Sequence, residues 1–276
     1  MTGATLMAVL TLGRANAAVL HVTARLAAKM DAGVVGLGVC RPIEVICRDC
    51  QVPAAVFDAD RRLIARQAEE AERGLRSVLE GRVNHLDWQM RSTVLPLAER
   101  IAQEARRADL LVIGLRDADA RRDETRDVDL PDLVMQAGRP VLLVPETGAA
   151  SVCERALVAW KDTREARRAV ADALPLLAEA GRVTVVEIAD RGAATEARQG
   201  VADVVCWLAH HGIEAEGRIV DAERANAFQL EDIARSIDAD LIVAGAWGYS
   251  RDQRWVMGGI TSALIGGTRR CALLSC

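Results

Sequence analysis

Short apolar runs alternate with longer amphipathic stretches along the whole chain. The apolar runs are bounded by glycine or charged residues and predict buried strands, and the stretches between them place apolar residues at helical spacing. In the first half, strands are predicted at 6–12, 34–39, 85–91, 108–114 and 141–144, with helices ending at Met30 and spanning 58–79 and 95–105. In the second half, strands are predicted at 155–160, 183–188, 213–220, 239–245 and 272–275, with helices at 164–180, 195–212 and 227–237. Continuous apolar strands that alternate with amphipathic helices indicate parallel sheets covered on both faces.

Two features of this pattern recur at one fixed offset. Residues 108–114 and 239–245 both contain Ala-Asp, then apolar residues, then Gly, and they are 131 residues apart. The runs that close each half, 139–144 and 270–275, have the same offset without a gap. We interpret the chain as an internal duplication, with one domain at 1–145, a second at 152–276 and a linker near 146–150. The first half is the longer one, and its extra residues are predicted at 41–58.

The composition agrees with two packed α/β domains. Hydrophobic residues make up 51% of the 276 residues and aromatic ones only 3%, so we expect aliphatic cores. The net charge of −4 disfavours a broad basic surface and therefore a nucleic-acid partner. No uncharged apolar run approaches the roughly 18 residues of a membrane span, and Met1–Ala4 lacks the basic start of a signal peptide. With an odd number of cysteines, seven, the sequence predicts a cytoplasmic protein with reduced thiols and no membrane association.

Cys47 and Cys50 form a C-x-x-C pair within the extra residues of the first half. A zinc site needs four ligands, and no second Cys or His pair follows at finger-like spacing, so we predict no metal site. A redox pair would favour a helix N-terminus, and Pro53 follows closely. An incidental loop pair and a thiol-sensing pair both remain open.

A glycine-rich segment follows the strand that ends at Gly245. It runs Gly245-Ala246-Trp247-Gly248, then nine residues, then Gly258-Gly259-Ile260-Thr261, after which the apolar spacing becomes helical. Glycine lets backbone N–H groups approach a phosphate closely, and the N-terminus of the following helix adds partial positive charge. Such segments lie at the carboxyl ends of parallel strands, where α/β sheets bind ligands. The first glycine turn and the second glycine pair, joined by a polar loop, form a candidate anion site. A plain glycine turn would give the same pattern.

The spacing Gly-x2-Gly-x9-Gly, on a chain with this strand order, resembles the universal stress protein family. The resemblance covers the whole chain as two tandem copies and is strongest in 241–264. It implies two Rossmann-like domains of the adenine nucleotide alpha hydrolase-like class, each a five-stranded parallel sheet flanked by helices. It also implies an ATP- or adenine-nucleotide-binding stress-response or signalling protein, without enzymatic activity or catalytic residues, that would take Mg²⁺ together with ATP.

The same resemblance implies which residues form the nucleotide site. In the family the glycine motif holds the ribose and phosphates of ATP, usually with Ser or Thr after the last glycine. Here that position is Gly259, and Thr261 lies two residues later. The first strand of the family commonly ends with an Asp near the adenosine, where this sequence has Lys161, which would attract phosphate. The implied nucleotide-binding residues are Ala159, Trp160, Lys161, Ile188, Gly245, Gly248, Gly258, Gly259, Ile260 and Thr261.

The first half keeps the first glycine of this motif, as Gly114, but departs from it at four later positions. At the offset of 131, Gly248 corresponds to Asp117, and three further positions of the motif fall on Asp127, Val128 and Leu130. Carboxylates repel a triphosphate, and side chains block close backbone approach. We therefore expect the first half to be structural and not to bind ATP.

Two other functions remain open. An adenine nucleotide hydrolase would need a base or metal carboxylate near the glycine segment, and Asp252 is the only carboxylate within it. A nucleotide-free dimerisation or structural module would need no ligand. In every case we expect the terminal strands 141–144 and 272–275 to pair within the chain, with a weaker homodimer contact through outer helices.

Overall fold

The structure, a computed structural model, describes residues 3–46, 53–116, 123–146, 151–190, 192–246, 248–249, 255–256 and 258–276. Strands and helices alternate through both halves, which confirms the predicted α/β class. The chain forms two compact units, Met1–Arg139 and Pro140–Cys276. In the part of the chain that the structure describes, no helix is long and apolar enough to cross a membrane.

The first unit contains a parallel sheet with the strand order β3-β2-β1-β4. Its elements are β1 (Thr5–Leu10), α1 (Ala17–Met30), β2 (Gly33–Cys40), α2 (Ile43–Ile46), α3 (Ala54–Leu79), β3 (Leu86–Ser92), α4 (Leu97–Glu104), a 3-10 turn (Ala105–Arg107), β4 (Leu110–Gly114) and α5 (Leu130–Gln136). Strands β1 and β2 are buried along almost their whole length because helices cover the sheet. At Gly36 a Cβ atom would lie 2.4 Å from the Leu75 side chain of α3 and 2.9 Å from the Trp88 ring. Only glycine therefore lets α3 pack this close to the middle of β2.

The second unit repeats this arrangement in its sheet, with β6–β9, and adds the strands β12 and β5. Its elements are β5 (Val141–Val144), β6 (Arg155–Ala159), α6 (Arg164–Leu177), β7 (Arg182–Ala189), α7 (Ala194–His210), β8 (Ala215–Asp221), α8 (Asn226–Ser236), β9 (Leu241–Gly245), β10 (Gly248–Tyr249), β11 (Trp255–Val256), α9 (Gly259–Gly267) and β12 (Cys271–Ser275). The strand order is β5-β12-β9-β6-β7-β8. All neighbours in this sheet run parallel except β5 and β12.

The two terminal strands of the sequence repeats, β5 and β12, pair with each other. They run antiparallel, with Leu142 opposite Leu273, and both strands are fully buried. The pairing removes the exposed edge that each apolar strand would otherwise present. By its contacts β5 is grouped with the second unit, although it closes the first sequence repeat.

The extra residues of the first half lengthen its second long helix. Helix α3 has 26 residues, whereas α7, its counterpart in the repeat, has 17. The short helix α2 precedes it within the region predicted at 41–58. Cys47 and Cys50 lie outside the described residues, as do 147–150 of the predicted linker.

Candidate functional site

The carboxyl ends of β6, β7 and β9 lie side by side at one edge of the second unit. Ala159 at the end of β6 is paired with Ala244 of β9 on one side and with Val186 of β7 on the other. The Trp160 backbone N–H then donates to the Val186 carbonyl at 2.8 Å. This pairing brings Ala159, Trp160 and Gly245, which were predicted from distant parts of the sequence, to one edge of the sheet.

Gly245 is the point where β9 meets the beginning of α6. A Cβ atom on Gly245 would lie 2.6 Å from the Glu165 carbonyl carbon and 2.6 Å from the Ala166 nitrogen, both of which are backbone atoms. The Gly245 carbonyl also accepts a hydrogen bond from the buried Thr261 hydroxyl at 3.3 Å. Gly245 and Thr261 therefore fix the start of α9 against the end of β9.

Helix α9 begins with glycines and without a side-chain cap. Gly258 is the N-cap residue and makes no side-chain hydrogen bond to the helix, and Gly259 is exposed. A Cβ atom on Gly259 would meet nothing within 4 Å. The first-turn N–H groups of a helix have no intrahelical partners, and they sit at the positive end of the helix dipole. This terminus offers accessible donors and room for an anion.

The corresponding helix of the first unit is capped by the chain itself. The Asp129 carboxylate accepts a hydrogen bond from the Asp132 backbone N–H at 3.1 Å, which caps α5. Nearby, the Asp127 carboxylate is buried, lies 3.1 Å from Arg14 Nη2 and accepts the Asp123 backbone N–H at 2.7 Å. Leu130, the first residue of α5, is buried as well. The two helix starts therefore differ as the sequence comparison predicts, and Asp117 lies outside the described residues.

Lys161, which follows the end of β6, has an acidic partner. Its Nζ lies 3.5 Å from Asp190 Oδ2, and both side chains are largely exposed. The half-buried Glu187 lies near this pair: burial raises the pKa of its carboxyl, while the Lys161 charge acts in the opposite direction. Sequence reasoning missed Asp190 and Glu187, although both follow from their position at the end of a strand adjacent to β6. An anion that used Lys161 would have to replace Asp190 as its partner.

The remaining predicted residues occupy different surroundings. Ile188 is buried near the end of β7, opposite Val220 of β8. Ile260 is half-buried and lines a cavity between α8 and α9 together with Leu230 and Leu264. Ile260 therefore lies on the side of α9 that lines this cavity.

The segment between the two glycine pairs departs from the predicted polar loop. The backbone of β10 pairs antiparallel with β11, with Gly248 opposite Val256. A hairpin therefore forms part of this segment. Trp247 and Asp252 lie outside the described residues.

Metal binding by the protein alone has no support among the described residues. No group of three or more His, Cys, Asp or Glu side chains in that part of the chain is placed to hold a metal ion.

Comparisons with known proteins agree on the fold. No protein-family profile matches the chain, and no curated protein matches its sequence. A universal stress protein from Archaeoglobus fulgidus DSM 4304 matches with a TM-score of 0.70 at 14% identity, over 100% of this chain and 99% of that one. A candidate universal stress protein from Pseudomonas aeruginosa UCBPP-PA14 matches with a TM-score of 0.61 at 15% identity, over 99% of this chain and 93% of that one.

A third match is a functionally unknown protein from Pseudomonas aeruginosa PAO1. It has a TM-score of 0.59 at 14% identity, over 99% of this chain and 92% of that one. These likenesses establish that the chain has the fold of the universal stress proteins, over its full length.

Proposed function

We propose that the second unit binds an adenine nucleotide, with its phosphates at the N-terminus of α9, and that the chain acts as a stress-response or signalling protein of the universal stress protein type. The observation that carries the proposal is the difference between the two repeats. Helix α9 starts at Gly258 and Gly259 without a cap, whereas α5 is capped by Asp129 and lies beside the buried Asp127. The Asp129 carboxylate already occupies the start of α5. At the start of α9 an external anion can occupy the corresponding position.

The residues present fit the phosphate end of such a ligand better than the nucleoside end. The open space at Gly259 and the exposed Lys161 both suit a polyanion. Bound nucleotide would bring Mg²⁺ with it, and the protein would supply backbone donors. The role proposed for the nucleotide is to be sensed, without being cleaved.

Titration calorimetry on the full chain tests the proposal, with ATP, AMP and cyclic AMP as ligands and with Mg²⁺ present and absent. The decisive variant is Gly259→Asp, which introduces a carboxylate where the phosphate would lie. A Cβ atom at Gly259 would meet nothing within 4 Å, and an acidic residue in the first helical turn stabilises a helix by about 0.3–1 kcal/mol. The variant should therefore fold normally and lose ATP binding.

Gly266→Asp is the matched control, because it adds the same charge to the same helix. Gly266 lies in the last turn of α9, is exposed and also has open space around it. This variant changes the net charge by the same amount and should bind ATP with nearly the affinity of the unchanged chain. If both variants bind ATP as tightly as the unchanged chain, the start of α9 is not part of the nucleotide site.

A further inference from the structure

A cavity of about 420 Å³ lies between helices α6 and α7 of the second unit. Its volume is within the range of about 300–1,000 Å³ that is typical of small-molecule sites. The lining residues come from the two helices and from the segment that joins β6 to α6: Trp160, Asp162, Arg167, Val170, Gly200, Asp203, Val204 and Trp207. Helix α9, whose start carries the proposed nucleotide site, contributes none of the residues that line this cavity.

The Trp160 indole provides a hydrogen-bond donor on the wall of this cavity. The residue is only 7% exposed, and its Nε1 has no hydrogen-bond partner among the described residues. Buried polar groups in folded proteins are almost always paired, so an unpaired indole N–H is an exception that calls for an acceptor.

Gly200 lies beside that donor. It lies inside α7, where glycine is less favourable than other residues. A Cβ atom at Gly200 would lie 3.4 Å from Trp160 Nε1, which is contact distance. A side chain at this position would therefore pack directly against the indole N–H, and glycine leaves that contact unmade.

The other walls favour a flat, uncharged ligand. Trp207 is 37% exposed and provides an aromatic surface, and Val170 and Val204 add aliphatic contacts. The charged lining consists of two carboxylates, Asp162 and Asp203, and of Arg167, whose guanidinium is paired with Asp162. The carboxylates outnumber the guanidinium, so the cavity disfavours phosphate and carboxylate ligands.

We propose that this cavity binds a planar, uncharged heteroaromatic molecule whose ring acceptor takes the hydrogen bond of Trp160 Nε1–H. The aromatic plane lies against Trp207, and the ring nitrogen or carbonyl oxygen approaches the indole N–H beside Gly200. The cavity shares Trp160 with the residues implied for the nucleotide site, but none of its lining residues belongs to α9, where the phosphates are proposed to bind.

The test uses quinoline and naphthalene, two probes of the same shape of which only quinoline has a ring acceptor. The chain has five tryptophans and therefore five indole N–H signals in a nitrogen–proton correlation spectrum of the full-length protein, and Trp160→Phe assigns one of them to Trp160. Quinoline should shift the Trp160 signal in a saturable manner. It should bind roughly two- to tenfold more tightly than naphthalene, which is the range expected for one additional hydrogen bond.

A second arm fills the cavity by substitution. Gly200→Leu should abolish the quinoline shift, whereas Ala202→Leu, on an exposed position of the same helix, should leave it unchanged. Quinoline-6-carboxylate should bind more weakly than quinoline because of Asp162 and Asp203. The proposal is overturned if the Trp160 signal does not shift, if the two probes bind equally, or if Gly200→Leu folds and still binds. It is also overturned if ATP displaces quinoline. If Gly200→Leu does not fold, the comparison of the two probes on the unchanged chain decides.

Discussion

The guanidinium of Arg14 lies 3.1 Å from the carboxylate of Asp127, whose side chain is almost completely buried. Arg14 follows the end of β1 and Asp127 precedes α5, so the pair joins the two segments that correspond to the candidate site of the second unit. In the first unit, the Arg14–Asp127 ion pair connects these two segments. In the second unit the corresponding helix starts with glycine.

Removing the Asp127 charge should destabilise the first unit. Asp127→Asn keeps the size of the side chain but leaves Arg14 without its ionic partner and weakens the bond from the Asp123 N–H. Because Arg14 is about one-third exposed and can regain water, we expect a loss of only about 1–2 kcal/mol in the free energy of unfolding. Urea denaturation of the full chain measures it. A variant as stable as the unchanged chain would show that the pair contributes nothing.

Replacing two carboxylates of the first unit should not create a nucleotide site. In the double variant Asp117→Gly and Asp127→Gly, the Asp129 carboxylate still caps α5 and Leu130 still fills the start of the helix. ATP binding by the double variant should therefore equal that of the unchanged chain in calorimetry. A second equivalent of bound ATP would show that charge at these two positions was the whole obstacle.

Gly245 should tolerate no side chain, whereas Gly259 should tolerate one. Gly245→Ala forces a Cβ to within 2.6 Å of backbone atoms of α6, so either β9 or α6 must move. We expect a loss of about 3 kcal/mol for this overpacking. Gly259→Ala meets open space and should change stability by less than about 1 kcal/mol, in the stabilising direction. Thermal or urea unfolding of both variants checks the contrast, and similar losses in the two would contradict the packing described for Gly245.

Glu104 should make the stability of the first unit dependent on acid pH. Its carboxylate is 2% exposed; Arg91 and Arg100 contact one oxygen at 3.0 and 2.7 Å, and Arg107 contacts the other at 2.5 Å. Burial opposes the charge, but the three guanidinium groups outweigh it and lower the pKa of Glu104 below its ordinary value of 4.5. A lowered carboxyl pKa adds stability above the unfolded-state pKa, and this contribution disappears as the pH falls through the folded-state value.

Glu104→Gln removes this contribution. Since the three arginines are partly exposed and screened by solvent, the variant should lose about 2–3 kcal/mol at pH 7. The difference from the unchanged chain should shrink as the pH falls below about 4.5. Urea denaturation at pH 7, 5 and 4 gives the difference. A difference that stays constant over this range would show that the Glu104 charge is not its source.

Much of the fold could be predicted because apolar periodicity depends only on neighbouring residues. The fixed offset then relates the elements of one repeat to those of the other. Strands β1, β6 and β9 and helices α6 and α7 lie close to their predicted positions. The partner of β5 was predicted from the general cost of an exposed apolar edge. The hairpin of β10 and β11 was not predicted, because two-residue strands leave no periodic signal in a sequence.

The details of the candidate site were harder to predict because they depend on contacts between distant segments. The glycines marked the start of α9 correctly, but the sequence could not show that Thr261 bonds to the Gly245 carbonyl or that Lys161 meets Asp190. Likewise, the unpaired Trp160 N–H becomes visible only when α7 is placed over it.

The number of ATP molecules bound per chain, measured by titration calorimetry, shows whether the second unit alone holds a nucleotide site. We expect one ATP per chain, bound at the start of α9, and none for Gly259→Asp with unchanged thermal stability. Two ATP molecules per chain, no binding by the unchanged chain, or one molecule still bound by Gly259→Asp would each contradict this expectation.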